Sequence, residues 1–287
     1  MNTPVIFSLH HVSCAIPFQD TVKTVLHDIH IEIHSREWVT FVGTNGSGKS
    51  TLAKVLAGLH PVSEGSLTTS YHGNPAVQLV FQNPDTSIIG ETVYEDVCFG
   101  LVNYGVIEPA LEQLAMKALS KVGLTSLAHT PASSLSGGQK QLLAIAGCLA
   151  VSPSVYIFDE TTSMLDPMSR KTILDLAHQL HADGSTIIWI TQLLDELTGT
   201  DRVIALEEGR VAFDGSSRDF FYGRAIDDSD KSFSESEVSP CERLGFTMPY
   251  VVQVAQRLMR QGCVLKSKPL SPEELSDAVE ELCQYNS

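Results

Sequence analysis

Apolar positions along the chain follow two rhythms, and the changes between them mark its elements. Short runs rich in β-branched and aromatic residues recur at Val5 to Val12, Trp38 to Val42, Ala76 to Phe81, Val155 to Phe158, Thr186 to Ile190 and Arg202 to Leu206, and Gly65-Ser66-Leu67 starts a further short one. Their length and composition are those of strands. Ile29-His30-Ile31-Glu32-Ile33-His34 alternates with a period of two, so residues 5 to 42 read as antiparallel β structure. His27, His30 and His34 fall at mixed parity there, which makes them solvent-side histidines and not a metal set. Elsewhere the spacing is helical. Leu111, Leu114, Ala115, Ala118 and Leu119 form one stripe that Gly123 ends, and Leu142 to Leu149 form another. Leu52 to Ala57 begins a helix that Gly58 and Pro61 stop, and Asp166 with Pro167 opens one that runs to about His181. Glu207-Glu208-Gly209-Arg210 reads as a hairpin turn before Val211-Ala212-Phe213. Strands alternating with helices predict an α/β fold with a mainly parallel core sheet, an N-terminal antiparallel β part and a helical insertion over about 86–150.

Residues 1–225 therefore form the main domain. The acidic, serine-rich stretch from Asp227 to Glu237 is too polar to pack and places a linker at 226–240. Beyond it, Val251, Val252, Val254, Ala255 and Leu258 predict a short amphipathic helix, and Ser271-Pro272-Glu273-Glu274 has the spacing of a capping box before a last helix. This extension, 241–287, is marginal for independent stability and should pack on a partner or on the main domain.

Composition narrows the function. Among 287 residues, 43% hydrophobic and 18% charged content suits a protein with a full core. A net charge of −15 argues against a nucleic-acid partner, which needs a basic face, and leaves a basic protein partner open. The six scattered cysteines, with no C-x-x-C pair, read as reduced cytosolic thiols. No apolar window of about 18 residues spans a bilayer, and Met1-Asn2-Thr3-Pro4, with no basic region before an apolar core, is not expected to begin a signal peptide. Any membrane role is expected to come through a partner.

The chemistry centres on Gly43-Thr44-Asn45-Gly46-Ser47-Gly48-Lys49-Ser50-Thr51, which fits G-x-x-x-x-G-K-[ST] between an apolar strand and a helix. Glycines there let successive N–H groups point at phosphate oxygens, and the helix N-terminus adds positive potential. Lys49 is expected to reach the β/γ-phosphates, and Ser50 to offer its hydroxyl to Mg²⁺. The site is read as one for a nucleoside triphosphate. Asp159, at the end of an apolar strand, is expected to reach the same Mg²⁺, and Glu160 to polarise the attacking water if the strand ends between them.

Leu135-Ser136-Gly137-Gly138-Gln139, lying between the phosphate loop and Asp159-Glu160, resembles the signature of ATP-binding cassette (ABC) ATPases. The resemblance covers about residues 5 to 222. It implies that two cassettes pair head to tail, with Ser136, Gly137, Gly138 and Gln139 of one meeting the ATP held by the other. Gln82 resembles the Q-loop glutamine that touches Mg²⁺, and Ser163-Met164-Leu165-Asp166 resembles the D-loop that couples the sites. Val80 to Asp85, Glu91 to Leu101 and the tail from Leu244 to Pro249 are similar to the cassettes of energy-coupling factor (ECF) transporters, whose C-terminal extension contributes to pairing. Membership implies ATP hydrolysis that powers import of vitamins or transition-metal ions. It also implies a transmembrane coupling protein, a substrate-binding membrane subunit, and a peripheral position on the cytoplasmic face of the membrane. Asp85, Glu91, Glu95 and Asp96 are expected to receive basic residues of the coupling protein.

Two positions depart from the family pattern. Gln192 stands where a switch histidine contacts the γ-phosphate, and a glutamine donates but carries no proton. Ile16 stands where an aromatic ring stacks on adenine, with Phe18 as a substitute. Both imply slower turnover at the Lys49 site. The competing reading is a catalytically weak regulatory subunit in a heterodimer with a more active cassette. A soluble ABC protein acting on ribosomes or DNA fits less well, since neither fused cassettes nor a coiled coil is present and the chain is acidic.

Overall fold

The computed structural model describes residues 3–18, 21–71, 75–199, 201–223, 238–265 and 267–285. In chain order come β1 (Val5–Phe18), β2 (Thr21–His34), β3 (Trp38–Gly43), α1 (Lys49–Leu56), β4 (Glu64–Thr69) and β5 (Val77–Val80). Three helices follow, α2 (Val93–Asn103), α3 (Ala110–Lys121) and α4 (Gly137–Ala150), and then β6 (Val155–Asp159), α5 (Pro167–Ala182) and β7 (Thr186–Ile190). The hairpin of β8 (Arg202–Glu207) and β9 (Arg210–Ser216) leads to α6 (Ser217–Tyr222), α7 (Pro240–Arg243), α8 (Tyr250–Arg260) and α9 (Pro272–Tyr285).

Two sheets result. A three-stranded sheet has the order β2-β1-β4 and is antiparallel. A six-stranded sheet has the order β5-β6-β7-β3-β8-β9, parallel except for β9. The expectation of antiparallel structure through residue 42 needs correcting. That sheet takes in β1, β2 and the later β4, whereas β3 is a central parallel strand between β7 and β8. The reason lies in burial. All of β3 is buried, as suits a strand covered on both faces, while β2 buries Ile29, Ile31 and Ile33 and exposes His30 and Glu32.

Strand parity divides the core. Val39, Phe41, Ile157 and Ile188 face a cluster with α1 and the antiparallel sheet, whereas Trp38, Phe158 and Trp189 face the cluster of α2 to α5. Each large apolar side chain buried in this way contributes about 1.5–3 kcal/mol relative to exposure. The phosphate loop is thus held between two packed layers.

The C-terminal helices pack on the main domain. Cys241, Met248 and Val252 join Phe220, Phe221 and Val42 in one cluster, and Arg218 donates to Glu274 at 2.9 Å. In the spacing read as a capping box, Ser271 Oγ accepts from Glu274 N–H, but the Glu274 carboxylate accepts from Leu270 N–H. Of the stretch expected as a linker, 226–240, residues 226–237 lie outside the described residues, and helix α7 already begins at Pro240, capped by Ser239. Among the described residues, no helix is long and apolar enough to cross a membrane.

Candidate active site

The loop between β3 and α1 builds an anion cradle. Its N-cap, Gly48 at φ 103°, offers no side chain, and no acidic residue stands in the first turn of α1. Helices α2, α4 and α5, in contrast, are capped by Thr92, Ser136 and Asp166. The first N–H groups of α1 and its positive dipole end are therefore left for an outside anion. Thr44, Asn45 and Gly46 are exposed at the loop, and Ser47 is buried with its hydroxyl unpartnered among the described residues. Thr51 is half-buried in α1.

Lys49 is only 4% exposed. Its ammonium donates to the carbonyls of Gly43 at 2.8 Å and Thr44 at 3.1 Å and lies 3.6 Å from Glu160 Oε1. Burial draws its pKa down, while the charges of Glu160 and Asp159 pull it back up. Ser50 Oγ donates to Asp159 Oδ1 at 3.0 Å. Burial pushes the Asp159 carboxyl above its ordinary value, against the Ser50 hydrogen bond. A hydroxyl and a buried carboxylate are the oxygen donors a hard divalent cation takes, so this pair fits Mg²⁺.

Strand β6 ends at Asp159, and the next residue turns. Glu160 has φ 50°, a left-handed conformation uncommon outside glycine, and its N–H is held by the Ile190 carbonyl at 2.9 Å. Its carboxylate faces the phosphate loop between two amides. Gln192 Nε2 donates to Glu160 Oε1 at 2.6 Å and to Asn45 Oδ1 at 2.8 Å. Gln82 Nε2 donates to Glu160 Oε2 at 3.4 Å and to Ser163 Oγ at 3.3 Å. Asn45, Lys49, Ser50, Gln82, Asp159, Glu160 and Gln192 thus converge on one place.

The signature residues stand apart from it, for no hydrogen bond among the described residues joins Ser136, Gly137 or Gly138 to that cluster. Ser136 is exposed, accepts from Gln139 N–H at 3.3 Å and donates its own N–H to Gln139 Oε1 at 2.9 Å. Because the hydroxyl accepts within the helix, its hydrogen is spare for an outside anion. Gly138 lies against α5, where an added Cβ would meet Ser169 Oγ at 2.4 Å. Ser169 in turn donates to Asp166 Oδ2 at 2.6 Å, which puts Asp166 beside the signature. Ile16, in β1, is half-buried against the core and carries no ring to stack. The side chain of Phe18, the expected substitute, lies outside the described residues.

Beside the Gln82 turn is a cavity of about 480 Å³, lined in part by Asp85, Ile88, Glu91 and Lys140. Of the four acids expected to receive basic residues, three already have partners within the chain. Asp96 accepts from the N–H groups of Ile89 and Gly90, Glu95 closes the capping box of Thr92, and Asp85 holds Lys140 at 2.6 Å. Reading the sequence missed Glu196, Thr162 and Ser169. A carboxylate following an apolar strand was the one signal for Glu196.

Comparison with known proteins identifies relatives of this chain. The ABC transporter family profile matches residues 26–163. The energy-coupling factor transporter ATP-binding protein EcfA1 of Lactobacillus delbrueckii subsp. bulgaricus is 36% identical, with 98% of each chain covered. That of Halalkalibacterium halodurans is 39% identical, with 96% of each covered. Among solved structures, cbiO1 from Clostridium perfringens, described as part of the ABC transporter complex cbiONQ, aligns with TM-score 0.68 and 29% identity over 90% of this chain and 97% of that one. The ATP-binding cassette MJ0796, a dimer in a post-hydrolysis state with ADP and Pi, aligns with TM-score 0.66 and 25% identity over 74% of this chain and 99% of that one. The chain therefore belongs to the ABC ATPases, in the family of energy-coupling factor transporter ATP-binding proteins.

Proposed function

We propose that this ATPase powers an ECF-type importer for vitamins or transition-metal ions, peripheral on the cytoplasmic face of the membrane and acting through a transmembrane coupling protein beside a substrate-binding membrane subunit. It works paired with a second cassette. The phosphate loop and Lys49 bind the triphosphate, Ser50, Asp159 and Gln82 would hold Mg²⁺, and Glu160 accepts a proton from the attacking water. When bound there, Mg²⁺ would supply charge neutralisation at the phosphate oxygens. Gln192 and Gln82 keep Glu160 aimed at the loop. Ser136, Gly137, Gly138 and Gln139 serve the ATP of the partner cassette, and Asp166 steadies that tip through Ser169. Ile16 contributes apolar contact to adenine.

One observation carries the pairing. The Ser136 tip is exposed, has a hydroxyl hydrogen to spare, and bonds to nothing in the Lys49 cluster among the described residues. The test is an ATP-dependent disulfide between Ser136→Cys and a cysteine placed in the phosphate loop of the partner cassette, within the assembled complex. A product joining the two chains is expected, and its absence with ATP bound would overturn the pairing.

The groove at Asp85, Glu91 and Lys140 is the proposed dock of the coupling protein, whose basic residue competes with Lys140 for Asp85. Reversing charge at Asp85 and Glu91 should weaken assembly, and intact assembly would remove this contact. The reading as a weak regulatory subunit gains nothing from the geometry, because Glu160 keeps both amide partners and its place beside Lys49.

A further inference from the structure

A buried carboxylate outside the phosphate-binding set joins the two turns that carry the site. Glu196 is 6% exposed and follows β7 in a 3₁₀ turn, Leu194–Glu196. Its Oε1 accepts from Thr162 Oγ1 at 2.7 Å. Its Oε2 accepts from Trp189 Nε1 at 3.0 Å and from Thr191 Oγ1 at 2.6 Å. The indole N–H can only donate, and the Thr191 hydroxyl already accepts from Leu193 N–H at 2.9 Å, so its hydrogen goes to Glu196. Arg170 Nε, buried and without a hydrogen-bond partner among the described residues, lies 4.0 Å from Oε1 and supplies the nearby positive charge.

Thr162 is two residues after Glu160, and Thr191 is one residue before Gln192. One carboxylate therefore ties the turn after β6 to the turn after β7, behind the place where Gln192 touches Glu160. The left-handed turn at Glu160 is not favoured by its own residue type, so surrounding contacts must hold it. A buried, hydrogen-bonded carboxylate is suited to that, since loss of one partner leaves the others unsatisfied.

We propose that Glu196 is a positioning residue for ATP hydrolysis, which holds Glu160 and Gln192 in register through Thr162 and Thr191. It touches no reacting atom. The inference rests on the reading of Glu160 as the group that activates water. On that reading, loosening the clamp lowers kcat and leaves binding of the triphosphate largely intact, because Lys49 and the phosphate loop are anchored elsewhere.

The test uses the purified transporter complex and measures kcat, KM for ATP and affinity for a non-hydrolysable ATP analogue. Glu196→Ala should lower kcat by about tenfold or more, with analogue affinity within about threefold of wild type. Glu196→Gln keeps an oxygen for Trp189 and Thr191 and an amide facing Thr162, and should recover most of kcat. Thr162→Val, isosteric and cutting only the β6 side, should lower kcat in the same way, and it decides the matter should Glu196→Ala fail to fold. Wild-type kcat in these variants, an equal fall in kcat and analogue affinity, or no recovery in Glu196→Gln would each overturn the proposal. Glu160→Gln in the same complex keeps the two readings separate. If it retains turnover, the role of Glu160 fails; if it loses turnover while Glu196→Ala and Thr162→Val keep theirs, the positioning role alone fails.

Discussion

Gln192 donates from one amide nitrogen to the Glu160 carboxylate at 2.6 Å and to Asn45 of the phosphate loop at 2.8 Å. A side chain that cannot titrate thus ties the carboxylate to the loop, and this has a pH consequence. The wild type should show no imidazole step in turnover near neutral pH. Gln192→His adds one: below its pKa, near about 6.5 and raised by Glu160, the imidazolium donates to both partners as the amide does. Above it the neutral ring donates once, so turnover of the variant should fall as pH rises through that value. ATPase assays of both forms from acid to mildly alkaline pH check this.

Glu160→Gln keeps the shape of the site and removes the proposed proton acceptor. Hydrolysis should drop by about 10²–10⁴-fold while nucleotide binding persists. Single-turnover hydrolysis alongside equilibrium binding measures both, and unchanged turnover would take Glu160 out of the chemistry.

At Gly138 the test is one of packing. A Cβ there would lie 2.4 Å from Ser169 Oγ and 2.9 Å from Ser169 Cβ. Gly138→Ala should cost about 1–3 kcal/mol through overpacking, seen as a lower Tm. Ser169→Gly, which removes both close atoms, should return part of that loss when combined with it.

Asp166 gives a second pH effect, of opposite origin. The Ser169 hydroxyl, helped by the N–H groups of Ser169 and Met168, holds its carboxyl below the usual carboxylate range. Its folded pKa is depressed, so its contribution is complete above the unfolded value of about 3.9 and fades as pH falls through the folded one. Thermal unfolding across acid pH should show a smaller decline in Asp166→Asn than in wild type.

Short-range features of the molecule are written openly along the chain. The alternation of Ile29, Ile31 and Ile33, the apolar runs within β6 and β7, and Asp166 before Pro167 act over a few residues. Backbone period and capping chemistry therefore make them visible in one dimension. The phosphate loop is legible for the same reason, because its chemistry needs glycines, lysine and hydroxyl at fixed spacing.

Contacts between distant segments were not legible. That β3 leaves the antiparallel sheet for a central parallel place depends on pairing with β7 and β8, about 150 residues later in the chain. The four acids near Gln82 looked alike by composition. Only folding put Lys140 against Asp85 and set Asp96 on the N–H groups of Ile89 and Gly90.

What the sequence by itself determined is the set of local elements and the identity of the groups proposed to bind and split a triphosphate. What only the tertiary structure decided is their mutual aim: the left-handed turn of Glu160, its grip by Gln82 and Gln192, and the clamp of Glu196 on Thr162 and Thr191. The reason is physical. Hydrogen-bond direction and burial depend on where separate strand ends meet, and no residue's own preference encodes that meeting.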